Sequence, residues 1–120
     1  MGRGSSSSVK IRFPKYSREE LISLLRDVVS NLADEMPLKL VTLFGSWAKG
    51  RATASSDIDL LIVYKGPKRR DAFNIVSKTL GIRGVEPHVF TVEEFAAFIK
   101  QSPRTRREWV EEAVVLFPEY

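Results

Sequence analysis

The chain has 120 residues, enough for one hydrophobic core and too few for two. Apolar residues make up 43% and charged residues 28%, with no apolar run approaching a membrane span, so a cytoplasmic globular protein is expected. Cysteine is absent, which excludes disulfides, thiolate nucleophiles and zinc-thiolate centres; any metal must take oxygen or imidazole ligands, and the net charge of +4 admits an anionic partner without choosing one.

Residues 1–12 lack the apolar core of a secretory signal and read as a disordered tail, with a single domain over residues 13–120. Ser17-Arg18-Glu19-Glu20 is a capping box, after which Leu21, Leu24, Leu25, Val28, Val29 and Leu32 recur at helical spacing until Pro37 stops the helix. Lys39 to Phe44 reads as a short strand that delivers the chain to Gly45. A second strand covers Asp57 to Tyr64, and its unbroken Leu60-Leu61-Ile62-Val63 predicts burial on both faces in the middle of a sheet. Lys65-Gly66-Pro67 is a turn opening a helix from about Lys68 to Leu80, with Ala72, Phe73, Val76 and Leu80 inward and Gly81 as its stop. A third strand, about Val85 to Phe90, contains Pro87, which lacks a backbone donor and predicts a sheet edge or a bulge. Thr91-Val92-Glu93-Glu94 is a second capping box, opening a helix that buries Phe95, Phe98 and Ile99. Ser102-Pro103 starts another helix to about Ala113, with Trp109 and Val110 inward, and Val114 to Phe117 is a short last strand. The class is α/β, a small mixed β-sheet packed by helices.

The chemistry concentrates between Gly45 and Tyr64. Side chains alternate along a strand, so Asp57 and Asp59 are expected to share a face, with Ile58 turned the other way. Two such charges repel unless a cation lies between them, and an oxygen pair suits a hard ion such as magnesium. Gly45 permits a sharp turn whose amides, with the Ser46 hydroxyl, can cradle a phosphate. Trp47 to Gly50 reads as one helical turn with Trp47 as a core or lid aromatic, and residues 51–56 as a small polar loop.

Gly45-Ser46, ten intervening residues and Asp57-Ile58-Asp59 running into an apolar strand resemble the signature of the DNA polymerase β-type nucleotidyltransferase superfamily. The small size is similar to its minimal nucleotidyltransferase (MNT) group, many of which are antitoxin partners of HEPN-domain ribonucleases. The resemblance implies a polymerase β palm-like core, with Asp57 and Asp59 holding two magnesium ions. It also implies a third carboxylate on a neighbouring strand, and Glu86 is the candidate, with His88 two residues on and on the same face. Gly45 and Ser46 would bind the triphosphate; Lys49 and Arg51 lie where the family often carries basic residues that meet the phosphates, and Ser55 and Ser56 are expected to cap or hydrogen-bond near them. The implied reaction moves AMP from ATP onto a hydroxyl, that of a tyrosine on a HEPN toxin, since 120 residues leave little room for a second substrate-binding domain.

Two alternatives come from other classes: a toxin-binding module that does not turn over, and a nucleotidyltransferase acting on a small molecule or RNA. Lys68-Arg69-Arg70 and Arg104, Arg106 and Arg107 lack interleaved aromatics and read as charged outer helix faces, suited to an acidic partner more than to nucleic acid. The sequence leaves a homo-oligomer and a hetero-oligomer both open.

Overall fold

The computed structural model describes residues 16–118; the tail expected over residues 1–12 lies outside them. The chain runs α1 (Arg18–Glu35), β1 (Leu38–Phe44), β2 (Ile58–Tyr64), α2 (Ala72–Leu80), β3 (Val85–Thr91), α3 (Val92–Gln101) and α4 (Pro103–Arg106). A single π-helical turn (Arg107–Glu111) and β4 (Val114–Phe117) complete it. The four strands form one sheet in the order β3-β2-β1-β4. β1 is antiparallel to β2 and to β4, whereas β2 and β3 are parallel, with α2 making the crossover. The sheet is therefore mixed, as expected, and no helix of the described residues is long and apolar enough to cross a membrane.

Burial follows from the two periodicities. Leu21, Leu25, Val29 and Leu32 of α1 recur every three or four residues and are fully buried, while Leu24 and Val28 flank that stripe half-buried. With Ala72, Val76 and Leu80 of α2, they cover the sheet face made by Val41, Leu43, Ile58, Leu60, Ile62 and Tyr64. The alternate residues Phe44, Leu61 and Val63 face the other way, where Phe95 of α3 packs on them and Phe90, Trp109 and Val110 close the edges. Leu60 through Val63 are thus all buried because β2 is central and covered on both sides. Pro87 lies on β3, an edge of the sheet.

Four expectations need correction. The second helix begins at Ala72, not Lys68, because the Arg69 amide donates to the Tyr64 hydroxyl (2.9 Å) and its guanidinium pairs with Asp71 (3.1 Å), holding the approach as a turn. In this shorter helix Ala72, Val76 and Leu80 form the inward row and Ile75 packs beside them; Phe73 is rotated outward and is 53% exposed. Phe98, expected inside α3, is 38% exposed, since the helix lies over the edge of the sheet. The helix expected from Pro103 to Ala113 keeps α-helical geometry for one turn only and then widens, the Glu112 amide reaching the Arg107 carbonyl at 2.8 Å.

The passage from β3 into α3 has no loop. Thr91 ends the strand and caps the helix, its hydroxyl accepting from the Glu94 amide (3.1 Å) while Glu94 Oε1 accepts from the Thr91 amide (2.9 Å). Replacing Thr91 with alanine removes this reciprocal cap and should cost about 1 kcal/mol. A melting temperature lower by about 4–8 °C is the expected result.

Candidate active site

At the end of β1 the chain turns at Gly45, which adopts φ +79°, in the left-handed region that side chains disfavour. A Cβ there would overlap Oδ2 of Asp59, so the turn presses directly on that carboxylate. The turn is then wound by backbone bonds from the Lys49 amide to the Gly45 carbonyl (3.2 Å) and from the Arg51 amide to the Ser46 carbonyl (2.9 Å). Trp47 is buried in the core beneath it, whereas Ser46, Lys49 and Arg51 are exposed beside it.

Register does the rest. Asp59 stands opposite Phe44 on β1 and opposite Glu86 on β3, and Leu61 stands opposite His88. Alternation puts Asp59, Glu86 and His88 on one face, and donor atoms of all three lie within 4.8 Å of one another. The His88 ring leans on Trp109 (centroids 4.9 Å apart) and Phe44 (5.5 Å), which stack on each other at 4.4 Å. This aromatic wall is fixed to β1 by the Thr42 hydroxyl, which donates to the Trp109 carbonyl at 2.6 Å.

Burial raises the Asp59 carboxyl above its ordinary range, the adjacent Glu86 charge raises it further, His88 opposes, and Asp57 adds repulsion. Asp57 itself is exposed and precedes β2 by one residue, outside the tight group formed by Asp59, Glu86 and His88. Its neighbour Ile58 donates to the Gly84 carbonyl (2.8 Å), which keeps this corner against the start of β3. Ser56 is engaged within its own loop, where its hydroxyl accepts from the Thr53 amide (2.9 Å) and closes the approach to β2. Ser55 is exposed in the same loop, its hydroxyl against that of Thr53 at 3.2 Å. A cleft of about 700 Å³ opens on the opposite sheet face among Leu24, Val28, Ser56, Ile58 and Leu80; none of the clustered donors lines it.

The basic stretches are mostly paired with acids of their own surface. Lys68 meets Glu94 (2.7 Å), Arg104 meets Glu108 (3.0 Å) and Arg106 meets Glu111 (3.4 Å), the arrangement of a solvated charged face.

Sequence reasoning missed Arg18. Its guanidinium donates to the carbonyls of Trp47 and Ala48, each at 3.1 Å, and so clamps the Gly45 turn to the start of α1. Nothing local signals this, because the partners lie 29 and 30 residues away. Arg18→Ala should destabilise the domain by about 1–3 kcal/mol, the usual range for losing bonds from a charged donor. Faster amide exchange at residues 45–51 with little change at β2 is the result to look for.

The chain matches the nucleotidyltransferase domain family over residues 22–116. It superposes on a candidate nucleotidyltransferase from Sulfolobus solfataricus at a TM-score of 0.57 and 30% identity, over 82% of this chain and 81% of that one. A toxin-antitoxin structure with AMP-PNP shares the fold at a TM-score of 0.51 and 19% identity, over 87% of this chain and 75% of that one. None of the curated proteins compared with it matches. The matched span carries the Gly45 turn, Asp59 and Glu86 together, and this chain belongs to the nucleotidyltransferase domain family.

Proposed function

We propose that the protein is a divalent-cation-dependent nucleotidyltransferase, magnesium being the ion the resemblance implies, that moves AMP from ATP onto a hydroxyl of a partner HEPN toxin and so acts as its antitoxin. The observation that carries the transferase reading is the meeting of Asp59 and Glu86 on adjacent strands against the Gly45 turn. Two acids held side by side, Asp59 half-buried and Glu86 exposed, are unfavourable alone, and the raised Asp59 carboxyl is that cost expressed as proton affinity. A divalent cation relieves it, so the donor set fits the ion that the family implies.

In this reading Asp59 and Glu86 would hold the cation, and Asp57, at the corner before β2, would add a further carboxylate. When bound, magnesium neutralises phosphate charge on the triphosphate and steadies the departing pyrophosphate. Gly45 and Ser46 offer amides and a hydroxyl to the triphosphate, and Lys49 and Arg51, exposed beside the turn, meet its outer oxygens. Ser56 supports the loop from behind. The acceptor oxygen bonds to the α-phosphorus as the bond to the β-phosphate oxygen breaks, and Glu86, exposed and nearest the open side, takes the hydroxyl proton. The HEPN partner is supported by the resemblance to the minimal group and by the fold shared with a toxin-antitoxin structure with AMP-PNP.

The test is incubation with α-labelled ATP, magnesium and a candidate HEPN protein. Label on the partner with release of pyrophosphate, abolished in Asp59→Asn, is the expected outcome. Label appearing on RNA or a small acceptor without the partner would keep the transferase and overturn the acceptor. A tight complex that never becomes labelled would identify a binding module instead.

A further inference from the structure

We infer that His88 is a ligand of the cation site and tunes it toward a first-row transition ion of the manganese class in preference to magnesium. This rests on reading Asp59 and Glu86 as the cation's carboxylates, and it goes beyond that reading by assigning a nitrogen donor and hence a metal preference.

The argument begins with register. Parallel pairing sets Glu86 beside Asp59, and the two-residue repeat of β3 sets His88 on the same face, one step further along the sheet. A ring nitrogen of His88 then lies within 4.8 Å of carboxylate oxygens of both acids. Two ligands of one ion at bond lengths of about 2.1 Å are separated by at most about 4.2 Å, so modest side-chain rotation closes the set around a single centre.

The ring is also positioned by packing. It rests tilted against the stacked pair of Phe44 and Trp109, and the Trp109 backbone is tied to Thr42. Among the described residues no group hydrogen-bonds either ring nitrogen, so neither is committed elsewhere. A half-buried imidazole restrained by aromatic faces and directed at two carboxylates is a preorganised donor, with little rotamer freedom left to lose on binding.

Donor chemistry then decides the ion. Magnesium demands oxygen ligands and keeps its waters, whereas a first-row transition ion accepts an imidazole beside carboxylates, with affinity lowest for manganese and rising through cobalt to nickel and copper. One nitrogen with two carboxylates is a mixed set that a transition ion satisfies better than magnesium does. An oxygen-only site would show no such bias.

The experiment measures metal binding to the intact chain without nucleotide, using Mn²⁺ and Mg²⁺ separately, for the native protein and for His88→Phe. Phenylalanine keeps the contact with Phe44 and Trp109 and removes only the nitrogens. The native protein should bind Mn²⁺ at least about 10-fold more tightly than Mg²⁺, and His88→Phe should lose about 10–100-fold for Mn²⁺ with little change for Mg²⁺. Pulsed electron paramagnetic resonance of the Mn²⁺-loaded native protein should show coupling to an imidazole ¹⁴N, a readout that needs no variant. Absence of that coupling, or equal losses for both ions in His88→Phe, would overturn the assignment. If Mg²⁺ and Mn²⁺ bind and support transfer with no nitrogen coupling, the histidine inference alone fails; if neither ion binds the native protein, the carboxylate reading fails with it.

Discussion

Asp59→Asn should abolish transfer and, in the same protein without metal, raise the melting temperature. The two effects have one origin. Asp59 sits half-buried beside Glu86, and burial first, then the neighbouring charge, lifts its carboxyl above the ordinary range. Between its unfolded and folded titration points the native state holds more protons than the unfolded chain, so stability is present at acid pH and falls as pH rises through the folded value. Asparagine removes that slope. Melts of the metal-free protein at neutral pH should show the variant higher by a few degrees, on the scale of about 4–8 °C per kcal/mol for a domain of this size. Saturating divalent metal should reverse the order, since about 100-fold excess over Kd adds about 2.7 kcal/mol to whichever form binds it. Transfer should drop by about 10³-fold or more, the several kcal/mol that metal-held phosphate oxygens represent. A metal-free variant that melts lower than the native chain would show that the two acids do not repel in the fold.

Gly45→Ala should be nearly as damaging, and for a separable reason. The left-handed backbone at Gly45 costs a side-chain-bearing residue about 1–2 kcal/mol by itself. The added methyl group also meets Asp59 Oδ2, so either the turn or the carboxylate must move. Overpacking of this kind adds about 1–3 kcal/mol. Only the second cost depends on Asp59. A cycle with Asp59→Ala should therefore show coupling of about 1 kcal/mol or more, Gly45→Ala being milder where the carboxylate is already gone. Additive melting temperatures would mean that the turn and the acid are mechanically independent. Metal affinity should also fall in Gly45→Ala, because the group displaced is a ligand of the proposed cation site.

Much of this was legible in the sequence because it is written in local periodicity. The capping boxes at Ser17 and Thr91, the stop at Gly81 and the continuous apolar run of β2 each predict their own neighbourhood, and the two caps, the stop and the buried run lie where expected. Gly45, Asp59 and Glu86 were readable as chemistry, and the structure brings them together. What escaped depends on distance or on where an element starts. Asp57 was expected to begin β2, but the Thr53–Ser56 turn holds the chain until Ile58, which leaves Asp57 at the corner. Arg18 reads as a plain helix residue, and only the tertiary fold gives it the carbonyls of the Gly45 turn. Phe73 and Phe98 have the composition of core residues, yet their angular positions on short helices turn them outward.

The two acids stand on strands of unequal security. Asp59 rides on β2, hydrogen-bonded along both flanks and sealed above and below, while Glu86 and His88 ride on β3, whose outer flank has no strand beside it among the described residues. Peeling of that outermost ribbon would separate Glu86 and His88 from Asp59 while the interior stays folded. The lifetime of the assembled cluster is then set by how long β3 stays zipped, and whatever leans on that flank acts as a latch on it.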